Sequence, residues 1–145
     1  MLQRLKPVFE SFQRNNVRYL VFGGIAVALH GVPRATFDLD ILIEANVANA
    51  RQLLDSLQQL GFGTAAEITP EELVATQITR LKDRIPIDVM TTAPGIQFAD
   101  AWERREVMEF EGQKFFVVSR SDLIAAKRAA GRTRDLEDLR ALEAD

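Results

Sequence analysis

Residues 19–44 read YLVFGGIAVALHGVPRATFDLDILIE, and the remainder of the chain is organised around them. An apolar run, Tyr19 to Phe22, ends in the pair Gly23-Gly24, and a short apolar helix over 24–30 is stopped by Gly31 and Pro33. A strand follows over 38–43, with Asp38 and Asp40 at alternate positions. In a strand, residues i and i+2 share a face and lie roughly 6–7 Å apart, so the spacing predicts that both carboxylates project together. Leu39, Ile41 and Ile43 then face the core. Two carboxylates at that distance repel by roughly 2–3 kcal/mol at an effective dielectric of about 20. A cation relieves such a pair, and the hard, oxygen-seeking ion suited to clustered carboxylates is magnesium.

The glycine pair supplies a second half to the site. A strand that ends in Gly23-Gly24 at the mouth of a helix lets backbone N–H groups approach a phosphate closely. A third acid, Asp88, stands in Arg84-Ile85-Pro86-Ile87-Asp88-Val89-Met90, where the alternation of Ile85, Ile87 and Val89 puts it on the face opposite its apolar neighbours. A phosphate cradle beside metal-binding carboxylates is equipment for phosphoryl or nucleotidyl transfer. Gly23-Gly24, thirteen intervening residues, Asp38-Leu39-Asp40 and the later Asp88 resemble the nucleotidyltransferase superfamily with the DNA polymerase β-like catalytic fold. The resemblance implies an α/β (α+β) fold, a mixed sheet flanked by helices, with all three acids on adjacent strands. It implies that Asp38, Asp40 and Asp88 are catalytic and hold two Mg2+ ions, with Asp88 helping to activate an acceptor hydroxyl. The plainer alternatives are a solvated strand face for Asp38 and Asp40, and for Asp88 an ion pair with Lys82 or Arg84.

At 145 residues the chain is expected to form a single domain spanning 1–145. A hydrophobic share of 47% against 27% charged residues argues against general disorder. The net charge of −3 argues against bulk nonspecific nucleic-acid binding, although a local basic patch remains compatible with it. The chain has no cysteine, which excludes disulfides and thiolate metal sites. Residues 1–16 lack the apolar core of a signal peptide, and the apolar run from Tyr19 to Val32 is too short and glycine-broken to span a bilayer. The expectation is a cytoplasmic protein with no membrane partner.

In chain order, Leu2, Leu5, Val8, Phe9 and Phe12 predict an amphipathic helix over 2–15. Asn46 is placed as the cap of a helix whose inward stripe is Val47, Ala50, Leu54 and Leu57, closed by Gly61. Pro70-Glu71-Glu72 reads as a first helical turn. Residues 77–81 and 85–90 read as a strand pair, 98–105 as a short helix, and 107–110 with 114–118 as a hairpin around Glu111-Gly112-Gln113. A helix capped by Ser119 or Ser121 runs to Ala130 and stops at Gly131. Thr133 opens a last helix with Leu136, Leu139 and Leu142 inward.

Arg34 and Thr36 precede the first acid and are candidate nucleotide-binding residues with Gly23 and Gly24, because a guanidinium matches phosphate geometry. A solvated loop arginine is the alternative. His30 reads as a helix-terminal cap without a catalytic role. Lys127 lies on the stripe of Leu123 and Ile124, either snorkelling or pointing into a polar pocket. The segment 127–135 resembles the basic helix and turn of small bacterial nucleotidyltransferases of the abortive-infection and toxin–antitoxin kind, which implies that Lys127 lies near nucleotide phosphates. The implied substrate is a nucleoside triphosphate, and the implied acceptor a hydroxyl on protein, RNA or a small molecule. Many members add a helical acceptor-binding domain that is not evident here, so acceptor choice is expected to depend on a homodimer, a partner protein, or a substrate that is itself a protein or RNA. The competing reading is a non-catalytic nucleotide- or partner-binding module of the same fold. A P-loop or Rossmann reading fails for want of either motif.

Overall fold

Strand-period and helix-period segments alternate along the chain, and the computed structural model, which describes residues 1–144, assembles them into one six-stranded sheet flanked by helices. The elements are α1 (Leu2–Arg14), β1 (Tyr19–Phe22), α2 (Gly23–Leu29), β2 (Leu39–Ile43), α3 (Val47–Gln59), a 3-10 turn (Gly63–Glu67), α4 (Pro70–Ala75), β3 (Ile78–Leu81), β4 (Ile87–Met90), α5 (Phe98–Glu103), β5 (Glu106–Phe110), β6 (Gln113–Val117), α6 (Arg120–Ala130) and α7 (Thr133–Glu143). The strand order is β3-β4-β2-β1-β6-β5. The pairs β2–β4 and β1–β6 are parallel, whereas β1–β2, β3–β4 and β5–β6 are antiparallel. The sheet is therefore mixed, as the hairpin signals between helices require.

Central position explains the apolar runs. All four residues of β1 are buried, which suits a strand with neighbours on both edges and cover on both faces. Phe9 and Phe12 of α1 pack on Tyr19 and Phe115: the Phe9 and Phe115 rings stack with centroids 4.5 Å apart, and Phe12 meets Tyr19 at 4.8 Å. The buried Tyr19 hydroxyl accepts the Phe116 N–H at 3.3 Å, which satisfies its polar tip. No helix among the described residues is long and apolar enough to cross a membrane.

Helix caps follow the expected chemistry. Asn46 Oδ1 accepts the Asn49 N–H at 2.8 Å, Thr69 and Glu72 form a reciprocal capping box, and Ser119 Oγ accepts the Asp122 N–H at 3.1 Å. His30 ends α2 and its Nε2 donates to the Val118 carbonyl at 2.8 Å. Asn49 itself is buried and acts as a hub: Oδ1 accepts the Arg18 N–H, while Nδ2 donates to the Arg18 and Glu44 carbonyls. It thereby ties the start of β1, the exit of β2 and α3 together.

Three expectations are corrected. Val47 is exposed, and the buried stripe of α3 uses Leu53 beside Ala50, Leu54 and Leu57, because on a 3.6-residue period Val47 falls at the margin of the face that those four share. Leu136 is 45% exposed, and the buried positions of α7 are Asp135, Asp138 and Leu142, since this helix lies against cations. Asp38 lies outside β2, in an extended loop. The Leu39 N–H donates to the Pro86 carbonyl at 2.9 Å, but extending the parallel ladder by one more bond would need an N–H from Pro86, which has none. The Phe37 carbonyl instead accepts from Arg4 Nη2 at 2.7 Å.

Candidate active site

The parallel pairing of β2 with β4 sets Asp40 directly opposite Asp88. Their strand neighbours Leu39, Ile41, Ile87 and Val89 are fully buried on the other face, so the two carboxylates are held on the open face by the burial of four apolar side chains. That face floors a cleft of about 700 Å3. Gly23, Gly24, Arg34, Thr36, Asp38, Asp40, Asp88 and Lys127 all line it. The eight residues singled out in the sequence are thus brought to one concavity from α2, β2, β4, α6 and the loop before β2.

The glycines act mainly through what their lack of a side chain permits. Gly23 has φ +64, and a Cβ there would lie 1.9 Å from Asp40 Oδ2. The first glycine therefore makes room for the acid of the neighbouring strand, at the place where β1 turns into α2. At Gly24 a Cβ would meet the Thr36 side chain at 3.2 Å, which puts Thr36 against the start of α2.

Asp40 is half-buried, and its pKa is pushed up from 3.8 to about 6. Burial is the largest cause; the charge of Asp88, a hydrogen bond shared with it and the charge of Asp38 add to it, while Lys127 pulls the other way. Asp38, although outside the ladder, is therefore near enough for its charge to be felt. Across the β3–β4 register, Arg80 faces Asp88 at 3.9 Å, a loose and largely exposed contact that neutralises little. The partner of Asp88 is thus Arg80, not Lys82 or Arg84. Among the described residues no three acidic or histidine side chains are already drawn together as a ready metal site. Asp40 and Asp88 nevertheless suit a hard divalent cation: two oxygen donors sit opposite each other on adjacent strands, and the charge of Asp88 adds to the burial that raises the Asp40 pKa.

The raised pKa has a stability consequence. The folded chain holds the Asp40 proton more tightly than the unfolded chain, so the penalty is fully present above pH of about 6 and vanishes below about 3.8. In chelator, Asp40→Asn is expected to be more stable than the parent by about 1 kcal/mol at pH 8, and no more stable near pH 3.5. Urea melts at the two pH values measure this, and a clear loss of stability at pH 8 would assign Asp40 a structural role.

The basic residues are not free. Arg34 pairs with Asp138 of α7. Lys127 is buried, and its Nζ lies 3.0 Å from Asp138 and 3.3 Å from Asp135. Arg132 Nε donates to Asp135 at 2.6 Å. Burial alone would raise the Asp135 pKa, but the hydrogen bonds and charges of Arg132 and Lys127 outweigh it and lower the value. Read in sequence, Asp135 and Asp138 only balance the charge of the basic segment around Arg132, and nothing there assigns them to Lys127 or Arg34. The signal for the acid pair was the spacing of Asp135 and Asp138, three residues apart on one helical face just after a basic turn.

The family model described as a nucleotidyltransferase of unknown function (DUF6036) matches residues 2–143. No curated protein matches the chain. A crystal structure of a "putative nucleotidyltransferase" from Thermotoga maritima superposes with a TM-score of 0.63 at 20% identity, covering 97% of this chain and 90% of that one. At that identity the likeness concerns the fold.

Proposed function

The chain belongs to the DUF6036 nucleotidyltransferase family, and from that premise we propose that it transfers a nucleoside monophosphate from a nucleoside triphosphate to a hydroxyl acceptor with the help of magnesium. The observation that carries this reading is the in-register pair Asp40 and Asp88 above a cleft from which Gly23 withholds a side chain. Asp40 and Asp88, joined by Asp38, would hold the metal. Bound magnesium would offset the charge on the phosphates and on the leaving pyrophosphate. Arg34 and Lys127 orient the triphosphate, Gly23 and Gly24 let it approach the backbone, and Asp88 takes the proton of the acceptor hydroxyl. The hydroxyl oxygen forms a bond to the α-phosphorus as the bond from that phosphorus to the bridging oxygen breaks, and pyrophosphate leaves. The acceptor is a hydroxyl of a protein, an RNA or a small molecule, and a partner within a toxin–antitoxin pair is one way to supply it.

The Arg80–Asp88 contact favours a second reading, a non-catalytic binding module in which a cation of the chain already serves Asp88. Each of the common triphosphates, labelled at the α-phosphate, should be incubated with the protein and cell lysate. Label is expected in one acceptor class for at least one nucleotide, with magnesium and not with chelator. No transfer from any of them, with a melting temperature unmoved by magnesium nucleotide, would discard both the enzyme and its nucleotide site.

A further inference from the structure

We propose that Asp138 is a positioning residue that holds Arg34 and Lys127 side by side as a two-pronged anchor for a polyphosphate. The proposal deepens the triphosphate site described above and rests on that reading. One carboxylate oxygen, Asp138 Oδ2, accepts from both Arg34 Nη1 and Lys127 Nζ. The two cations come from unrelated places: Arg34 from the loop that leads to Asp38, Lys127 from α6. Both line the cleft, whereas Asp138 is buried on α7 and does not line it.

Two cations that share one opening repel, and each long side chain loses rotamer freedom when held still. A carboxylate placed behind them offsets the repulsion and fixes both before a ligand arrives. Asp135 accepts from Lys127 on the other side and steadies the ammonium further. A guanidinium and an ammonium carry more N–H donors than these bonds consume, and the remainder are available to an anion. Because Asp138 stands behind the pair, an anion entering the cleft does not have to displace it. The same tie restrains the loop bearing Thr36 and Asp38, so α7 is linked to the metal-binding acids through one side chain.

The test uses the full chain and magnesium tripolyphosphate, a probe without base or sugar, in isothermal titration. Asp138→Asn is expected to weaken tripolyphosphate binding by about tenfold while Mg2+ alone binds within about twofold of the parent. Arg34→Gln should weaken it similarly, and the double variant should be scarcely worse than either single one, because both act on one anchor. A general loss of packing would instead lower Mg2+ binding too and make the losses add. Unchanged affinity in Asp138→Asn overturns the proposal, and tighter binding does so as well by making Asp138 a competitor of the anion. Should Asp138→Asn not fold, Asp138→Glu keeps the charge and shifts it by one methylene; a severalfold loss of tripolyphosphate affinity is expected, and parental affinity overturns the proposal. A parent that binds tripolyphosphate but transfers no nucleotide refutes the enzyme reading and leaves the anchor standing. A parent that does not bind it overturns the anchor, and the transfer assay then decides the enzyme reading separately.

Discussion

Asp88→Asn is expected to lower nucleotidyl transfer by about 10^3-fold or more while leaving the melting temperature within a few degrees of the parent. The substitution keeps the shape of the side chain and one of its oxygens, so the pairing of β4 with β2 and β3 has no reason to change. What disappears is the negative charge opposite Asp40. A divalent cation that the three carboxylates would hold is then left with Asp40 and the loop residue Asp38, and the acceptor hydroxyl of the proposed reaction would lose its proton acceptor. The exposed contact with Arg80 contributes little to stability, so its loss costs little. Transfer measured with the labelled nucleotide, beside a thermal melt in chelator, separates the two effects. Parental transfer in Asp88→Asn would move the chemistry away from this pair. A steep fall in melting temperature would make the acid a structural one.

Gly23→Ala is expected to cost about 2–4 kcal/mol of stability and to reduce transfer by about 10^2-fold or more. Two penalties combine. The backbone at Gly23 has φ +64, where an L side chain costs about 1 kcal/mol. The new methyl would also lie 1.9 Å from Asp40 Oδ2, 2.7 Å from its Cγ and 2.9 Å from its Cβ. The carboxylate can swing aside, but Asp40 Cβ is fixed by a strand whose neighbours Leu39 and Ile41 are fully buried, so the clash cannot be relieved cheaply. Gly24→Ala is the control: its nearest contact is 3.2 Å from Thr36, and it should lose less than about 1 kcal/mol. Urea melts of the two variants measure the difference. Equal losses would show that general crowding, not the approach to Asp40, is responsible. In Gly23→Ala/Asp40→Ala the two nearest contacts are gone, and part of the lost stability should return.

The sequence alone determined the alternation of strands and helices, the turn at Gly23-Gly24 and the facing of Asp40 and Asp88 away from the core. Those features depend on local spacing: a period of two separates buried Leu39 and Ile41 from Asp40, and the same period separates Ile87 and Val89 from Asp88. The cap at Asn46 was legible for the same reason, since donor and acceptor are three residues apart, and Ser119 was one of the two candidates for α6. Tertiary structure decided the rest. Whether Asp38 belongs to the strand depends on Pro86, just before the neighbouring strand, which has no N–H with which to extend the ladder. The inward face of α7 could not be read from its leucines, because inward means apolar only where the facing surface is apolar. Here that surface carries Lys127 and Arg34, and a buried cation is stable only beside an anion, so Asp135 and Asp138 turn inward and Leu136 turns out. Arg34 meets its partner from 104 residues away, a pairing that no local pattern encodes and that exists only once the sheet brings the two ends of the chain together.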